Sequence, residues 1–409
     1  MVAQSPGGRC HRPGTGLARP ARGKAALQVG RYNRPMSETI DTGALRQIGW
    51  PYTDLPSDPA WALLMATHPA AAPARVVEQH RTGYGVATRP GEVRRVESLP
   101  EWQRPRFPSH ERPAVGDWVL EADGKIVALL PRHTAIKRGA AGEHYHQQVI
   151  AANVDTVFVV CGLDADFNPR RIERYLLLVG SGGAKPVVVL TKADTTEYAD
   201  QALEVLEDLA AQQVPLLKVN ALDADSVAQL HPWLQPGNTA VLVGSSGVGK
   251  STLTNTLLGT ERMKTGAVRA SDSRGRHTTT HRALLPLPSG ACLIDTPGMR
   301  ELKPTGEEVL DIAGFADVEE LTTQCRFRDC AHQAEPGCAV VAALEAGTLD
   351  PDRLRNYLKL RDEVVEAAAK LAVRQAENAA EQARRNRPGG KSGGRPSGKP
   401  GARKPTSRR

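Results

Sequence analysis

Two clusters of residues have types and spacings that can do chemistry. The first is Gly244-Ser245-Ser246-Gly247-Val248-Gly249-Lys250-Ser251, with the spacing G-x-x-x-x-G-K-S. Glycines let such a backbone curl tightly, so that successive N–H groups and the positive end of a following helix face one anion. There Lys250 would neutralise β- and γ-phosphates, and the Ser251 hydroxyl would take one position on Mg²⁺. The second is Cys325-x₄-Cys330-x-His332-x₅-Cys338, three thiolates and one imidazole in fourteen residues. Four soft or borderline donors with no open position suit one structural Zn²⁺ in a tetrahedron, whose binding would organise a segment too short for its own core. The competing readings are a plain glycine-rich turn for the loop, and a disulfide with spare thiols for the cysteines.

Both clusters need elements that position them. Ala240 to Val243 is an apolar run emptying into Gly244, and Thr252 to Leu258 continues as a helix, the strand–loop–helix context that phosphate binding requires. Further near-continuous apolar runs occur at Val154–Val160, Pro186–Leu190, Val214–Val219 and Ala291–Ile294, with helical patterns at Arg170–Val179, Tyr198–Gln212 and Asp225–Leu230. Strands apolar on both faces, alternating with helices, predict a doubly wound α/β domain with a parallel sheet and ligands at the carboxyl ends of the strands. Cys161 and Cys292 lie in or at the end of these runs and read as small buried apolar residues.

Two more loops leave strands at that edge. Thr191-Lys192-Ala193-Asp194 follows Leu190, and Asp295-Thr296-Pro297-Gly298 follows Ile294. The Asp194 carboxylate can accept from both N1–H and the 2-amino group of guanine, whereas adenine has neither donor. An unmatched buried carboxylate costs roughly 1–3 kcal/mol or more, enough to choose a base. The Lys192 stem can lie over the base, Asp295 would hold Mg²⁺ through water, and the Gly298 N–H would meet a γ-phosphate. The expected ligands are therefore GTP and GDP with Mg²⁺. The base-reading loop precedes the phosphate loop, the reverse of the usual order, so the strands are cyclically reordered around one site.

Upstream, residues 74–138 carry five short β-like segments, ARVVEQH, GYGVATR, VRRVES, DWVLEAD and KIVALLP, which predict an OB-like barrel. Tyr84, Trp102 and Trp118 suit either its core or a rim that stacks bases. After Arg300 the pattern turns helical, at Glu307–Phe315, Val340–Ala346 and Pro351–Arg385.

The loop order, Gly275-Arg276-His277-Thr278-Thr279-Thr280 between the phosphate loop and Asp295, Pro113-Ala114-Val115-Gly116-Asp117-Trp118-Val119 in the barrel, Ala151-Ala152-Asn153-Val154-Asp155 at the junction, and Arg171-Ile172-Glu173-Arg174-Tyr175-Leu176 in the first helix are similar to one family. From about Ala74 to about Asn356 the chain resembles the circularly permuted GTPases of the ribosome-small-subunit-dependent GTPase A family (RsgA/YjeQ). The cysteine cluster, with Glu335-Pro336-Gly337 before Cys338, also resembles that family's zinc motif. The resemblance implies a late assembly factor that docks on 16S rRNA of the small ribosomal subunit in its GTP form and leaves on hydrolysis. It implies nucleotide contacts from Gly244 through Thr252, and closure of one of Thr278, Thr279 and Thr280 on Mg²⁺ and the γ-phosphate. Met299 stands where many GTPases place a water-orienting Gln, so His277 is the implied catalytic residue. Two positions depart from the family's pattern: Thr191 replaces an Asn, and Asn220-Ala221 stands where Ser-Ala is expected. Thr191 offers no carboxamide to the base or to neighbouring loops, which predicts lower affinity with specificity kept by Asp194.

At 409 residues the length suits two or three domains. The expected layout is a basic extension and linker over 1–73, an OB-like barrel over 74–148, a circularly permuted P-loop GTPase domain over 149–303, a C-terminal helical zinc-binding domain over 304–385 and a basic tail over 386–409. The net charge of +8 is unevenly spread. Residues 1–35 carry seven Lys/Arg and 384–409 carry ten, both without acids, leaving 36 bases against 45 acids between them. An acidic body with two basic tails suits a polyanion such as RNA, or merely solubilises. Met36, where acids first enter, is a possible start of translation. No secretory signal and no apolar run of about 18 residues is present, so a cytoplasmic monomer without membrane contact is expected. The clustered cysteines fit a reducing compartment. Two other function classes remain open on sequence: a GTP-gated RNA-binding or chaperone protein acting off the ribosome, and a metallochaperone GTPase.

Overall fold

The computed structural model describes residues 40–80, 83–104, 107–139, 147–165, 167–207, 209, 213–261, 282–295, 303–308 and 315–385. Helices α1 (Thr42–Arg46) and α2 (Pro59–Thr67) are N-capped by Asp41 and Asp58, whose carboxylates accept backbone N–H groups. Between and beyond the caps, Leu45, Ile48, Trp50, Trp61 and Met65 are buried. The reading of 1–73 as an extension and linker is therefore wrong for its second half. These residues show no period, but the Trp50, Trp61 and Trp118 rings pack with centroids 4.7 to 6.5 Å apart, and Trp61 donates to the carbonyl of Pro131. The Pro/Ala run ends in a strand rather than a linker, because small residues allow close approach and Pro is tolerated at a strand's start.

That strand is β1 (Ala72–His80), followed by β2 (Gly83–Ala87), β3 (Val93–Val96), β4 (Trp118–Ala122) and β5 (Lys125–Leu129). β1 pairs antiparallel with both β2 and β4, β2 with β3, and β4 with β5. Lys125 bridges in parallel to Glu97 just past β3, so the pairings return on themselves. Inside lie Val76, Val86, Val119 and Ile126 together with Tyr84 and Trp102. Tyr84, Trp102 and Trp118 are all buried, which excludes them as a base-stacking rim. Arg75 is also fully buried; its guanidinium donates to the carbonyls of Ile48, Gly116 and Asn153 at 2.7 to 3.2 Å and lies over Trp118, pinning three segments together.

A hairpin not expected from the sequence, β6 (Ala135–Gly139) and β7 (Gln147–Ala152), comes next. It spans the boundary expected at 148/149, which therefore cuts through one ladder. β8 (Thr156–Gly162) then opens the α/β unit, in chain order with α3 (Pro169–Gly180), β9 (Lys185–Thr191), α4 (Ala199–Glu204), β10 (Leu216–Lys218), α5 (Ala224–Val227), β11 (Thr239–Val243), α6 (Lys250–Leu258), β12 (Ala283–Pro286) and β13 (Cys292–Asp295). The strand order is β10-β9-β8-β11-β13-β12, parallel except for β12. The sheet is thus mixed, and β12 continues it to β1 through Glu78 and Ala283. Every residue of β8 and β11 is buried, which is why both read as unbroken apolar runs.

The last described segment holds α7 (Ala316–Thr323), α8 (Ala339–Glu345) and α9 (Pro351–Arg385) around a second core that includes Phe315, Val318, Val340, Leu354 and Tyr357. The helix expected at Glu307–Phe315 lies mostly outside the described residues; Glu307 and Glu308 themselves are not helical.

Candidate functional site

Strand β11 delivers the chain to Gly244, whose φ of +143° carries it under the end of β8: a Cβ here would stand 2.2 Å from the carbonyl oxygen of Val160. Gly247 and Gly249 also have positive φ, and Gly249 caps α6. The loop therefore turns at positions that only glycine occupies without strain, and it opens onto a helix N-terminus. Lys250 Nζ donates to the carbonyl oxygens of Gly244, at 2.8 Å, and Ser245, so its charge sits inside the loop's curl. Ser246 and Gly247 are exposed while Val248 is buried, and Ser251 and Thr252 occupy the first turn of α6.

The loop expected to read the base leaves β9 two strands away and is tied directly to this loop. Thr191 is fully buried, and its hydroxyl donates to the carbonyl of Val248 at 2.6 Å, with the carbonyl of Cys161 at 3.3 Å. Thr191 offers no carboxamide, as expected, but its hydroxyl supplies a bond to the neighbouring loop. Lys192 follows with φ +60°, its ammonium paired with Asp164 beyond the end of β8, and Asp194 is exposed in the next turn. The Ala193 N–H points to the carbonyl of Val219 at 3.5 Å. Asn220 shapes its own turn by accepting from the Leu222 N–H, and Thr256 of α6 donates to the carbonyl of Ala221 at 2.6 Å. Asp295 ends β13, the strand beside β11.

Thr191, Asn220, Ala221, the phosphate loop and Asp295 thus lie at one edge of the sheet, three of the loops joined by hydrogen bonds. His277, Thr278, Thr279, Thr280 and Gly298 lie outside the described residues. Sequence reasoning missed Asp164 and the hold on Ser245, whose hydroxyl accepts from Arg171 of α3 at 2.7 Å. The available signal for Asp164 was its place just after a parallel strand, where ligand sites gather.

The second cluster also assembles. Cys325, Cys330, His332 and Cys338 bring their donor atoms within 4.8 Å of one another. A tetrahedron with Zn–S near 2.3 Å and Zn–N near 2.0–2.1 Å requires edges of about 3.8 Å between sulfurs and about 3.6 Å between sulfur and nitrogen. Cys325 and Cys338 are 3.8 Å apart at sulfur, and each is 3.6 Å from His332 Nδ1. The described cysteines are free, and 3.8 Å is far beyond a disulfide bond, so the disulfide reading falls for this cluster. Cys338 also caps α8, accepting the Val341 N–H, which fixes its sulfur at the start of that helix. The Glu335 carboxylate accepts the N–H groups of Gln333, Ala331 and Ala334, which hold its pKa down to about 2 and knit the turn between His332 and Cys338.

Comparison with known proteins places this geometry. The profile of the RsgA GTPase family matches residues 129–305. A protein of Xanthomonas axonopodis pv. citri (strain 306), named Small ribosomal subunit biogenesis GTPase RsgA, is 73% identical over 344 residues, covering 84% of this chain and 95% of that one. The chain belongs to the RsgA GTPase family. Among solved structures, YjeQ from Thermotoga maritima is similar with a TM-score of 0.51 and 25% identity, covering 72% of this chain and 98% of that one. YloQ, described as a circularly permuted GTPase, has a TM-score of 0.50 at 24% identity over 72% of this chain and 96% of its own, and shares the fold. The permuted order of the family is the one seen here, with the β9 loop ahead of the β11 loop.

Proposed function

We propose that the chain hydrolyses GTP at the β9, β11 and β13 loops and acts in biogenesis of the small ribosomal subunit, binding 16S rRNA and leaving when GTP is cleaved. The observation that carries the reading is the Thr191–Val248 hydrogen bond, which joins a base-reading loop to a phosphate loop within one family fold. Asp194 would read the guanine edge, Lys250 would neutralise the β- and γ-phosphates, and the α6 N-terminus would receive them. Ser251 and Asp295 would hold Mg²⁺, which when bound offsets charge developing on the phosphates. His277 would orient the attacking water, with Thr278, Thr279 or Thr280 closing over the γ-phosphate and Gly298 meeting it. The Cys₃His site would hold one structural Zn²⁺.

Strands β1–β5 read as an OB-like barrel, supported by the order β1-β2-β3-β5-β4 and by the parallel bridge at Glu97. The α/β unit and the helices from Phe315 onward read as GTPase and zinc-binding domains, and the whole as a cytoplasmic monomer. No described helix is long and apolar enough to cross a membrane. The names of the Xanthomonas relatives support the ribosomal assignment.

The test is GTP turnover by the protein alone, with small subunits and with large subunits, ATP serving as control. Acceleration by small subunits only is expected, and His277→Ala should lower it about a hundredfold or more. Equal acceleration by both subunits, or none, would refute the ribosomal reading.

A further inference from the structure

The geometry points to helix α3 as a coupling rod between the phosphate loop and the metal-binding helical unit, with Arg171 as a positioning residue that acts on the loop through Ser245. This rests on the nucleotide reading above. α3 is buried on nearly every side, and its 100° periodicity divides it into three stripes. Ile172, Leu176 and Val179 form the stripe with the usual apolar character. Arg171 and Tyr175, one turn apart, form the second: Arg171 donates to Ser245, and the Tyr175 phenol, raised in pKa by burial, also hydrogen-bonds Ser245. Arg170, Glu173, Arg174 and Leu177 form the third, and all of them meet the helical unit.

That third contact is built from charges held in fixed directions. Glu173, only 3% exposed, accepts from Arg170 at 2.7 Å and Arg353 at 3.0 Å on one oxygen, and from Asn356 at 2.5 Å on the other. Arg353 is gripped in turn by Asp317 at 2.6 and 2.8 Å and lies over the Phe315 ring. Arg174 pairs with Glu363 at 2.7 Å, and Leu177 enters the same core as Cys338, one of the metal-site sulfurs. Buried charge-assisted bonds and a close-packed core do not deform smoothly; they hold one arrangement or break. A shift of Ser245 as phosphate enters the loop therefore has one rigid helix to move, and that helix is bolted to the metal-site core. By linkage, a nucleotide that changes α3's preferred position changes metal affinity, and the reverse holds by the same factor.

The experiment uses the full zinc-loaded chain. Zinc affinity is measured by competition with a chromogenic chelator without nucleotide, with saturating GDP, and with a non-hydrolysable GTP analogue; binding of fluorescently labelled GDP is followed in parallel. The expected result is a change in zinc affinity of about fivefold or more on adding nucleotide. Arg171→Met should bring the ratio to within about twofold while GDP still binds, and Arg171→Lys, which keeps a single donor for Ser245, should retain part of it. Should Arg171→Met not fold, Asn356→Ala, which removes one of three donors to Glu173, should still cut the ratio by about twofold or more. GDP binding with unchanged zinc affinity would overturn the coupling alone, as would a full ratio in Arg171→Met. Failure of GDP to bind at all would overturn the nucleotide reading and the coupling with it.

Discussion

Replacing Thr191 by Val tests whether one hydroxyl holds the base-reading and phosphate loops in register. Valine has the same shape, so the substitution removes the 2.6 Å bond to the Val248 carbonyl with little change in packing at a fully buried position. That carbonyl belongs to a buried residue and would be left without its donor, at a cost of about 1–2 kcal/mol. If the bonded arrangement is the one that binds nucleotide, the loss appears as a rise of about five- to thirtyfold in the Kd for GDP and GTP alike. Discrimination against ATP should not change if Asp194 reads the base, because the lost bond is made by Thr191 and not by Asp194. Thr191→Ser is the control: it drops a methyl group, keeps the donor, and should bind nearly as wild type does. Titration of labelled GDP into the three proteins, with thermal unfolding alongside, gives the answer. Equal affinity of the Ser and Val variants would refute the reasoning, as would a Val variant that loses stability but no affinity.

Other outcomes follow from the same geometry. Gly244→Ala must move a backbone carbonyl, since its Cβ would meet the Val160 oxygen at 2.2 Å, so nucleotide binding should be lost and the unfolding midpoint should fall. Native mass spectrometry should find one zinc per chain; stripping it should remove hydrogen-exchange protection from α7 and α8 first, while Cys330→Ser should bind zinc weakly. Gly306→Ala should destabilise by about 2–4 kcal/mol, because φ is +79° and its Cβ would stand 2.4 Å from the Ala368 nitrogen. Loss of exchange protection near Ala367 would place that damage at α9. For Tyr84, burial pushes the phenol up to about 12, so folding favours the protonated form. Stability should therefore fall as pH rises from about 10 toward 12, and Tyr84→Phe should remove that part of the alkaline loss.

The described loops of the candidate nucleotide site were legible because their parts are local. Strands buried on both faces write themselves as apolar runs, and the loops after them carry residues whose chemistry is specific at fixed spacing. The four candidate metal donors were legible for the same reason. What could not be read depends on contacts between distant residues. Trp50 and Trp61 sit in a Pro-rich stretch with no period, and partners more than fifty residues on, Trp118 and His133 among them, explain their burial. Arg75 reads as a strand's polar face, yet three carbonyls from separate segments remove it from water. β12 is four residues ending in Pro, too short to register beside longer runs. The Thr191 identity suggested a lost contact because an amide was the expected donor; that a hydroxyl reaches Val248 is a matter of distance, which spacing does not carry.

Permutation has a mechanical consequence that the hairpin makes visible. In this order β13 is the last described strand of the sheet, and the described chain resumes at Lys303, ahead of the helices that carry the candidate metal site. Residues 303–308 are held on two sides. The Gly139 N–H of β6 donates to the carbonyl of Lys303 at 3.1 Å, Lys137 pairs with Glu307 at 2.7 Å, and Gln147 of β7 faces the Thr305 carbonyl. Glu308 fastens the turn by accepting the N–H groups of Thr305 and Gly306, and Gly306 lies against the backbone of α9 at Ala368. Seven residues, 296–302, therefore separate the strand end that would sense a γ-phosphate from a clamp gripping both the hairpin ahead of β8 and the long helix of the metal-binding unit. In an unpermuted sheet that same strand end would lead back into the nucleotide domain. A displacement at Asp295 that reached this clamp would have two outlets, and α3, which joins Ser245 to Arg353, would supply a third route to the same helix.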